Sequence, residues 1–262
     1  MTGGALDPER HREISARLRS AGCVFAEEEA RLLMEASPTS VGLERLVERR
    51  CTGEPLEVLL GWAAFRGLRV GVTAGVFVPR RRTELMVDVA SDLAPAGAVV
   101  VDLCTGSGAV ALALSVERPD LELYATDLHP AALRCARTNL LDRAQVCTSD
   151  LFTGLPADLR GRIQVATANV PYVPTGELDL LPPEARDHEP LSTHDGGGDG
   201  LDVVRRVARE ARDWLVPGGH LVVEVNRRQV ASARFAVATA GLRPSVAAED
   251  EDGTVFLAGR LG

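Results

Sequence analysis

Asp102, Thr105, Gly106, Ser107, Gly108 and Asp127 are the residues whose types and spacing first suggest chemistry. The run from Val99 to Gly108 passes from β-branched residues through an acid, Asp102, into a glycine-rich turn, and an apolar helical pattern opens at Ala109. The hydrophobic period changes from strand-like to helix-like across that turn. This predicts a strand–turn–helix unit whose turn lies at the carboxyl end of a buried parallel strand, where open α/β sheets bind ligands. The stretch Gly106-Ser107-Gly108-Ala109-Val110-Ala111 also satisfies the pattern G-x-G-x-x-G/A. Asp127 falls at the end of the next predicted strand, where a ribose-binding carboxylate belongs. Spacing alone does not separate a nicotinamide cofactor from another adenosine ligand, and a tight turn that binds nothing also fits it. Asp102 weighs against a dinucleotide, because a carboxylate at the strand end repels a pyrophosphate lying over the first turn. S-adenosylmethionine carries an ammonium and a sulfonium instead of phosphate, and Asp102 suits that cationic ligand.

The elements that must hold these residues alternate. Strands are predicted over 98–103, 121–126, 144–148, 164–168 and 220–225, with helices near 108–116, 130–140 and 201–215. Such alternation implies a parallel, doubly wound sheet. At the tail, a helix over about 229–240 leads to strands at 244–248 and 254–258 joined through Asp252-Gly253, a hairpin signal that makes the last strand antiparallel. The expected fold is therefore α/β, a seven-stranded Rossmann-like class I methyltransferase sheet with a small N-terminal helical domain. Residues 1–52 read as three short helices, with Ile14 and Leu18, then Leu32, Leu33 and Ala36, then Leu43, Leu46 and Val47 sharing faces. Short apolar runs punctuated by glycine over 56–79 suggest a hairpin that links the two parts. The division expected is a helical module with its linking hairpin over 1–75, serving substrate binding, and a methyltransferase domain over 76–262. The triple Arg80-Arg81-Arg82 reads as a solvated or carboxylate-paired cluster rather than a phosphate site. Residues 173–200, rich in Pro, Gly and acids, show no pattern and leave the ligand side of the fourth strand, so they read as a substrate lid.

Bulk properties exclude several classes of function. The chain has 262 residues and a net charge of −8, and all 29 of its basic residues are arginine. Acidity argues against a general nucleic-acid binder. Without lysine there is no pyridoxal Schiff base and no phosphate-loop or kinase-type lysine. No stretch approaches the roughly 18 apolar residues of a membrane helix, and the start lacks a signal-peptide pattern, so a cytoplasmic protein is expected. Cys23, Cys51, Cys104, Cys135 and Cys147 are scattered without a Cys-x-x-Cys, which suits free thiols in a reducing compartment. His188 and His194, with Asp187, Glu189 and Asp195, match no standard zinc spacing, and no metal is expected.

The fourth strand ends in Asn169-Val170-Pro171-Tyr172. With Gly53-Glu54-Pro55-Leu56, Gly61, Phe65, Val78-Pro79-Arg80, Thr83-Glu84, Glu189-Pro190, Asp199-Gly200-Leu201 and Pro217-Gly218-Gly219 in the same order, the chain resembles the protein-glutamine N5-methyltransferases that modify peptide chain release factors. That is a branch of the Asn-Pro-Pro-Tyr amino-methyltransferases, and the resemblance covers nearly the whole chain. It implies S-adenosylmethionine as methyl donor and a release factor as protein substrate, with a monomer, no membrane and no direct nucleic-acid contact. It also implies that Cys104, Thr105, Gly106, Ser107 and Gly108 wrap the methionine part and that Asp102 faces its ammonium. Asp127 with Leu128 would hold the ribose, and Asp150-Leu151 would flank the adenine beside Asn169.

An amide nitrogen is a poor nucleophile because its lone pair is delocalised into the carbonyl. A site makes it attack by accepting both N–H groups, so that the developing lone pair faces the methyl. The side-chain oxygen of Asn169 and the backbone carbonyl of Val170 suit that task. Pro171 stiffens the turn and Tyr172 offers a ring face to the planar amide. Two positions depart from the family pattern. Val170 stands where the family has Pro, which adds an N–H and loosens the turn, and Cys104 stands where the first glycine of the donor turn belongs. Readings kept beside this one are a methyltransferase for another amide or for an exocyclic amine of a nucleic-acid base, a non-catalytic S-adenosylmethionine binder and, last, a nicotinamide oxidoreductase. Glu224, at the end of the fifth strand, reads equally as pocket lining or as a buried, hydrogen-bonded acid.

Overall fold

The structure is a computed structural model that describes residues 7–37 and 39–262. Helix α1 (Pro8–Ser20) starts where Asp7 accepts the Glu9 amide ahead of Pro8, a capped start with proline in the first turn. Helices α2 (Ala26–Ala36) and α3 (Ser40–Cys51) follow. Ile14, Leu18, Ala26, Ala30, Leu33, Leu43 and Val47 form their shared core. The buried stripe of α2 is therefore Ala26, Ala30 and Leu33 at helical spacing, whereas Ala36 is exposed. Pro38 lies outside the described residues. A short helix α4 (Leu56–Leu60) leads into the hairpin β1 (Trp62–Phe65) and β2 (Leu68–Gly71). Phe65 and Val70 bury themselves against the larger part of the chain.

That part is built on one seven-stranded sheet. Helix α5 (Glu84–Leu93) precedes β3 (Val99–Leu103), α6 (Ala109–Glu117), β4 (Glu122–Asp127), α7 (Pro130–Leu140), β5 (Gln145–Thr148) and β6 (Ile163–Ala168). Then come α8 (Pro183–His188), α9 (Asp202–Ala211), β7 (Leu215–Asn226), α10 (Val230–Thr239), β8 (Leu242–Glu249) and β9 (Thr254–Leu261). The strand order is β5-β4-β3-β6-β7-β9-β8, with β9 antiparallel to both of its neighbours. The expected fold class is the one observed, with the antiparallel strand inserted next to β7.

Register explains where polar groups end up. Every residue of β3 is buried, as a central parallel strand requires. Val99, Val101 and Leu103 pack towards α9 and α10, whereas Val100 packs towards α5, α6 and α7. Alternation places Asp102 on the same face as Val100. Asp102 is paired with Thr167 of β6 across the ladder, and Glu224 of β7 shares a face with Val222, again towards α5. Chain order reverses between β3 and β6, so their carboxyl ends open the crevice in which such sheets hold ligands.

Candidate active site

A cavity of about 810 Å³ lies at that crevice. Asp102, Cys104, Thr105, Gly106, Ser107, Asp127, Leu128, Asp150, Leu151, Asn169, Val170, Pro171 and Tyr172 all line it. Of the residues that sequence assigns to the donor turn, the ribose and adenine contacts and the Asn169–Tyr172 motif, Gly108 alone is absent from the lining. Its φ of +84° begins α6, and a Cβ there would come within 3.2 Å of Leu140 and 3.4 Å of the Ala136 backbone. Its task is close packing of α6 on α7.

One side of the cavity is made of turns at strand ends. Asp102 accepts hydrogen bonds from the Thr105 hydroxyl at 2.5 Å and from the Thr167 hydroxyl at 2.7 Å. Burial pushes its carboxyl up to about 6, against the opposing pull of those two hydroxyls. Asp127 is shared between two amides, those of Gly106 at 2.9 Å and His129 at 2.8 Å, so it braces the glycine turn and leaves lone pairs for a ligand. Its helix is capped by His129, so Asp127 forms the turn before α7 without being its cap. Asp150 pairs with Arg206 at 2.9 Å. Cys104 takes a φ of +54°, a left-handed region that glycine would occupy without cost. Burial, then the Asp127, Asp102 and Asp150 carboxylates, push its thiol up to about 12, which rules out a thiolate nucleophile at neutral pH.

The other side is drawn from remote segments. Asn169 follows β6, and its Nδ2 donates to the Thr83 hydroxyl at 3.2 Å. Thr83 in turn donates to Glu224 at 2.7 Å. Glu224, wholly buried, also accepts from the Tyr172 hydroxyl at 3.1 Å and from Arg82 Nε at 3.2 Å, while Arg82 Nη2 donates to the Tyr172 oxygen at 2.8 Å. Burial, then the Glu224 carboxylate, push the Tyr172 phenol up to about 12, so Tyr172 stays a protonated donor. Asn169 Oδ1 and the Val170 carbonyl accept no hydrogen bond among the described residues. Glu224 is thus the hydrogen-bonded acid of the two roles expected for it, and it does not line the cavity. Of the three arginines, Arg80 and Arg82 are carboxylate-paired, with Glu189 and Glu224.

Residues 173–200 depart from the patternless loop expected. They contain two 3-10 turns, α8 and a bridge between Val173 and Asp195. Pro174, Pro182 and Pro190 each stand immediately before one of these short helical pieces. Prolines read as loop markers are here helix starts. The segment roofs the cavity through Leu181, Pro182, Ala185, Pro190 and His194. It is tied down by Glu189, which accepts the Val78 amide at 3.0 Å and Arg80 at 2.7 Å, and by Arg50 of α3 reaching Glu184 at 2.6 Å. Ser192 meets the His129 ring at 3.2 Å across the opening. His194 faces Glu189 at 2.9 Å, and among the described residues no group of three or more His, Cys, Asp or Glu is placed to hold a metal ion. Arg82, Thr83, Arg206, His129 and Glu189 were not named as site residues from the sequence. Their partners lie too far along the chain for any spacing signal.

The chain is similar in sequence and in fold to known proteins. Residues 69–168 match the family model of the methyltransferase small domain. The fold is similar to a methyltransferase from Pyrococcus furiosus, with a TM-score of 0.57 at 16% identity over 86% of this chain and 100% of that one. It is also similar to a ribosomal protein L11 methylase from Lactobacillus delbrueckii, with a TM-score of 0.53 at 15% identity over 74% of this chain and 86% of that one. At the sequence level the chain is 44% identical to the release factor glutamine methyltransferase of Streptomyces coelicolor over 68% of its own length and 65% of the relative's, just under two thirds. Longer alignments reach the enzymes of the same name from Geobacter sulfurreducens, 36% identical over 83% of this chain and 77% of that one. The Bradyrhizobium diazoefficiens enzyme is 34% identical over 92% and 89%. Among the described residues no helix is long and apolar enough to cross a membrane. With alignments of this extent, the chain belongs to the release factor glutamine methyltransferase family.

Proposed function

We propose that the protein methylates the side-chain amide nitrogen of a glutamine in a peptide chain release factor, with S-adenosylmethionine as donor. The observation that carries this reading is the pair of uncommitted acceptors, Asn169 Oδ1 and the Val170 carbonyl, at the tip of β6 beside the turn that follows β3. Two oxygens of that kind match the two N–H groups of a primary carboxamide.

The lining suits the donor. Asp102, Asp127 and Asp150 face one cavity, with Leu128, Leu151 and Val110 as its apolar walls. Arg206 is paired with Asp150, so this side of the cavity has net negative charge, which favours a cation and disfavours a pyrophosphate. Asp102 would face the ammonium, Asp127 the ribose hydroxyls and Asp150 the adenine edge, with the backbone of 104–107 around the methionine part. When bound, S-adenosylmethionine supplies a methyl group on a positively charged sulfur. Asn169 and Val170 hold the acceptor amide by its two hydrogens, which turns the nitrogen lone pair out of conjugation and towards the donor side. Tyr172 presents its ring to the amide plane while Glu224 and Arg82 fix its hydroxyl. The nitrogen would gain the methyl carbon as the carbon–sulfur bond breaks and its electron pair returns to the sulfur, leaving a neutral thioether. It would then release one proton to solvent, so no dedicated base is required. Positioning supplies most of the acceleration. Residues 1–75 would serve to bind the substrate and residues 76–262 to carry out the transfer, with the protein acting as a monomer in the cytoplasm, away from nucleic acid.

The test is incubation with a purified release factor and isotope-labelled donor, followed by peptide mass spectrometry. Label on one glutamine side chain is the expected result. Label on DNA, or binding of the donor without turnover in the presence of release factor, overturns the reading.

A further inference from the structure

We infer that Thr83, held by Glu224, sets which way the Asn169 carboxamide faces and is a positioning residue for methyl transfer; this rests on the functional reading above. The argument is an inventory of hydrogens. Glu224 is wholly buried and receives three donors: the Thr83 hydroxyl, the Tyr172 hydroxyl and Arg82 Nε. A carboxylate beside a guanidinium, and met by donors on both oxygens, acts only as an acceptor. Thr83 has one hydroxyl hydrogen and spends it on Glu224 Oε2 at 2.7 Å. Towards Asn169 it can then only accept, so the group 3.2 Å away must be the amide nitrogen. Asn169 Oδ1 is thereby left facing away from Thr83, free to receive an N–H of the acceptor.

An asparagine amide is nearly symmetric in shape, and packing alone does not choose between its two orientations. The wrong one would set Nδ2 against the acceptor's N–H, donor against donor. The relay Glu224–Thr83–Asn169 removes that choice before substrate arrives. Thr83 lies just ahead of α5, 86 residues from Asn169, and is itself buried, so the hydroxyl is held in place by the fold.

The test compares Thr83→Val, which keeps the shape and deletes the hydroxyl, with Thr83→Ser, which restores it. For Thr83→Val we expect kcat on a release-factor glutamine to fall about 100-fold, the scale of a misdirected reactive group. Donor affinity by calorimetry should stay unchanged, and Thr83→Ser should recover most of the lost kcat. Glu224→Gln should also lower kcat, because an amide at 224 can donate to Thr83 and free its hydrogen to turn Asn169 over. Hydrogen exchange of the Asn169 side-chain NH2, followed by NMR and assigned through Asn169→Ala, reads the relay without any acceptor. Exchange should be slower in the parent protein than in Thr83→Val. The inference fails if Thr83→Val keeps its kcat, if Ser and Val lose activity equally in step with melting temperature, or if the exchange does not change. A parent protein that never labels glutamine sinks the functional reading instead, and the exchange experiment still decides the relay.

Discussion

The two halves of the cavity are built on different plans. The donor half is assembled from the ends of β3, β4 and β5 and the turn after each, so every group comes with the strand that carries it. The acceptor half gathers Asn169, Tyr172, Thr83, Arg82 and Glu224 from segments as much as 142 residues apart, tied together by a wholly buried carboxylate. In the donor half only Asp150 is spent on an ion pair, with Arg206, and the Asp102 and Asp127 charges line the cavity, ready for a cationic ligand. Those of the acceptor half are spent on one another, and what is left over is two oxygens in fixed directions. A site for a charged ligand can be made from local turns. A site that must aim a weak nucleophile needs a scaffold whose hydrogen bonds are already settled.

That contrast predicts unequal costs for deleting an ion pair on either side. Glu224→Ala strands the Thr83 and Tyr172 hydroxyls and one face of Arg82, a loss on the order of 3 kcal/mol for breaking a buried pair, at the lower end because Arg82 reaches solvent. Asp150→Ala removes a pair whose side chains are 47% and 43% exposed, and about 0–1 kcal/mol is expected. Urea unfolding of the two variants checks this, and equal losses would erase the distinction between the halves. Next in size is Asn169→Ala. Removing one of two preorganised acceptors should lower kcat by about 100- to 1,000-fold, the range seen for single groups that stabilise developing charge. Donor binding by calorimetry should be unchanged. A parallel loss of donor affinity would place Asn169 in the donor half.

The same contrast explains what could be read from sequence. The strand–turn–helix around Asp102 announces itself because acid, glycines and apolar helix are neighbours, and Asp127 follows one strand later. The antiparallel end of the sheet was visible in Asp252-Gly253, a turn signal between two strand-like runs. Glu224 is legible as an acid at a strand's end that either lines the pocket or is buried and hydrogen-bonded. Its partner Thr83 carries no such mark, since a threonine before a helix is ordinary until β7 pairs with β6 and α5 packs across them. The roof over 173–200 escaped for another reason. Proline and glycine there signal breaks, yet Pro174, Pro182 and Pro190 each begin a short helical piece, and the segment is held down by Glu189 through Val78 and Arg80, partners more than 100 residues away.

Asp102 sharpens the comparison through pH. Its folded-state value of about 6 lies above the ordinary carboxylate range because burial disfavours the charge. Between the unfolded value and about 6 the native state holds more protons than the unfolded chain, so this group's contribution makes stability fall as pH rises through that window. Above it the cost is fully present. Asp102→Asn should therefore be more stable than the parent at pH 7 to 8, by an advantage that shrinks towards pH 4. A cationic donor needs the ionised form, so affinity in the parent should weaken as pH drops through about 6. In the Asn variant affinity should be about 10-fold lower at neutral pH, one unit's worth of interaction, and nearly flat with pH. Calorimetry across pH 5 to 8 measures both; a parent affinity that ignores pH would mean that Asp102 serves Thr105 and Thr167 alone.

The smallest effect concerns Cys104, the donor-half residue that stands in a conformation made for glycine. At φ +54° a side chain costs about 1–2 kcal/mol relative to a relaxed backbone. Glycine removes that strain but gives the unfolded chain more freedom, which offsets about 0.4–1 kcal/mol. Cys104 as a residue is only partly buried, so modest packing is lost with its side chain. Cys104→Gly should come out slightly more stable, on the order of 0.5 kcal/mol, or about 1–2 °C in melting temperature for a chain of this size. Leu151 provides the control, because its φ of +53° carries the same strain while its side chain is 3% exposed and packed in the core. Leu151→Gly loses that burial, a cost of about 2–5 kcal/mol or more that strain relief does not recover. If both glycine variants were destabilised alike, the Cys104 side chain would be holding the turn rather than straining it, and the departure from glycine would be a gain in the donor half.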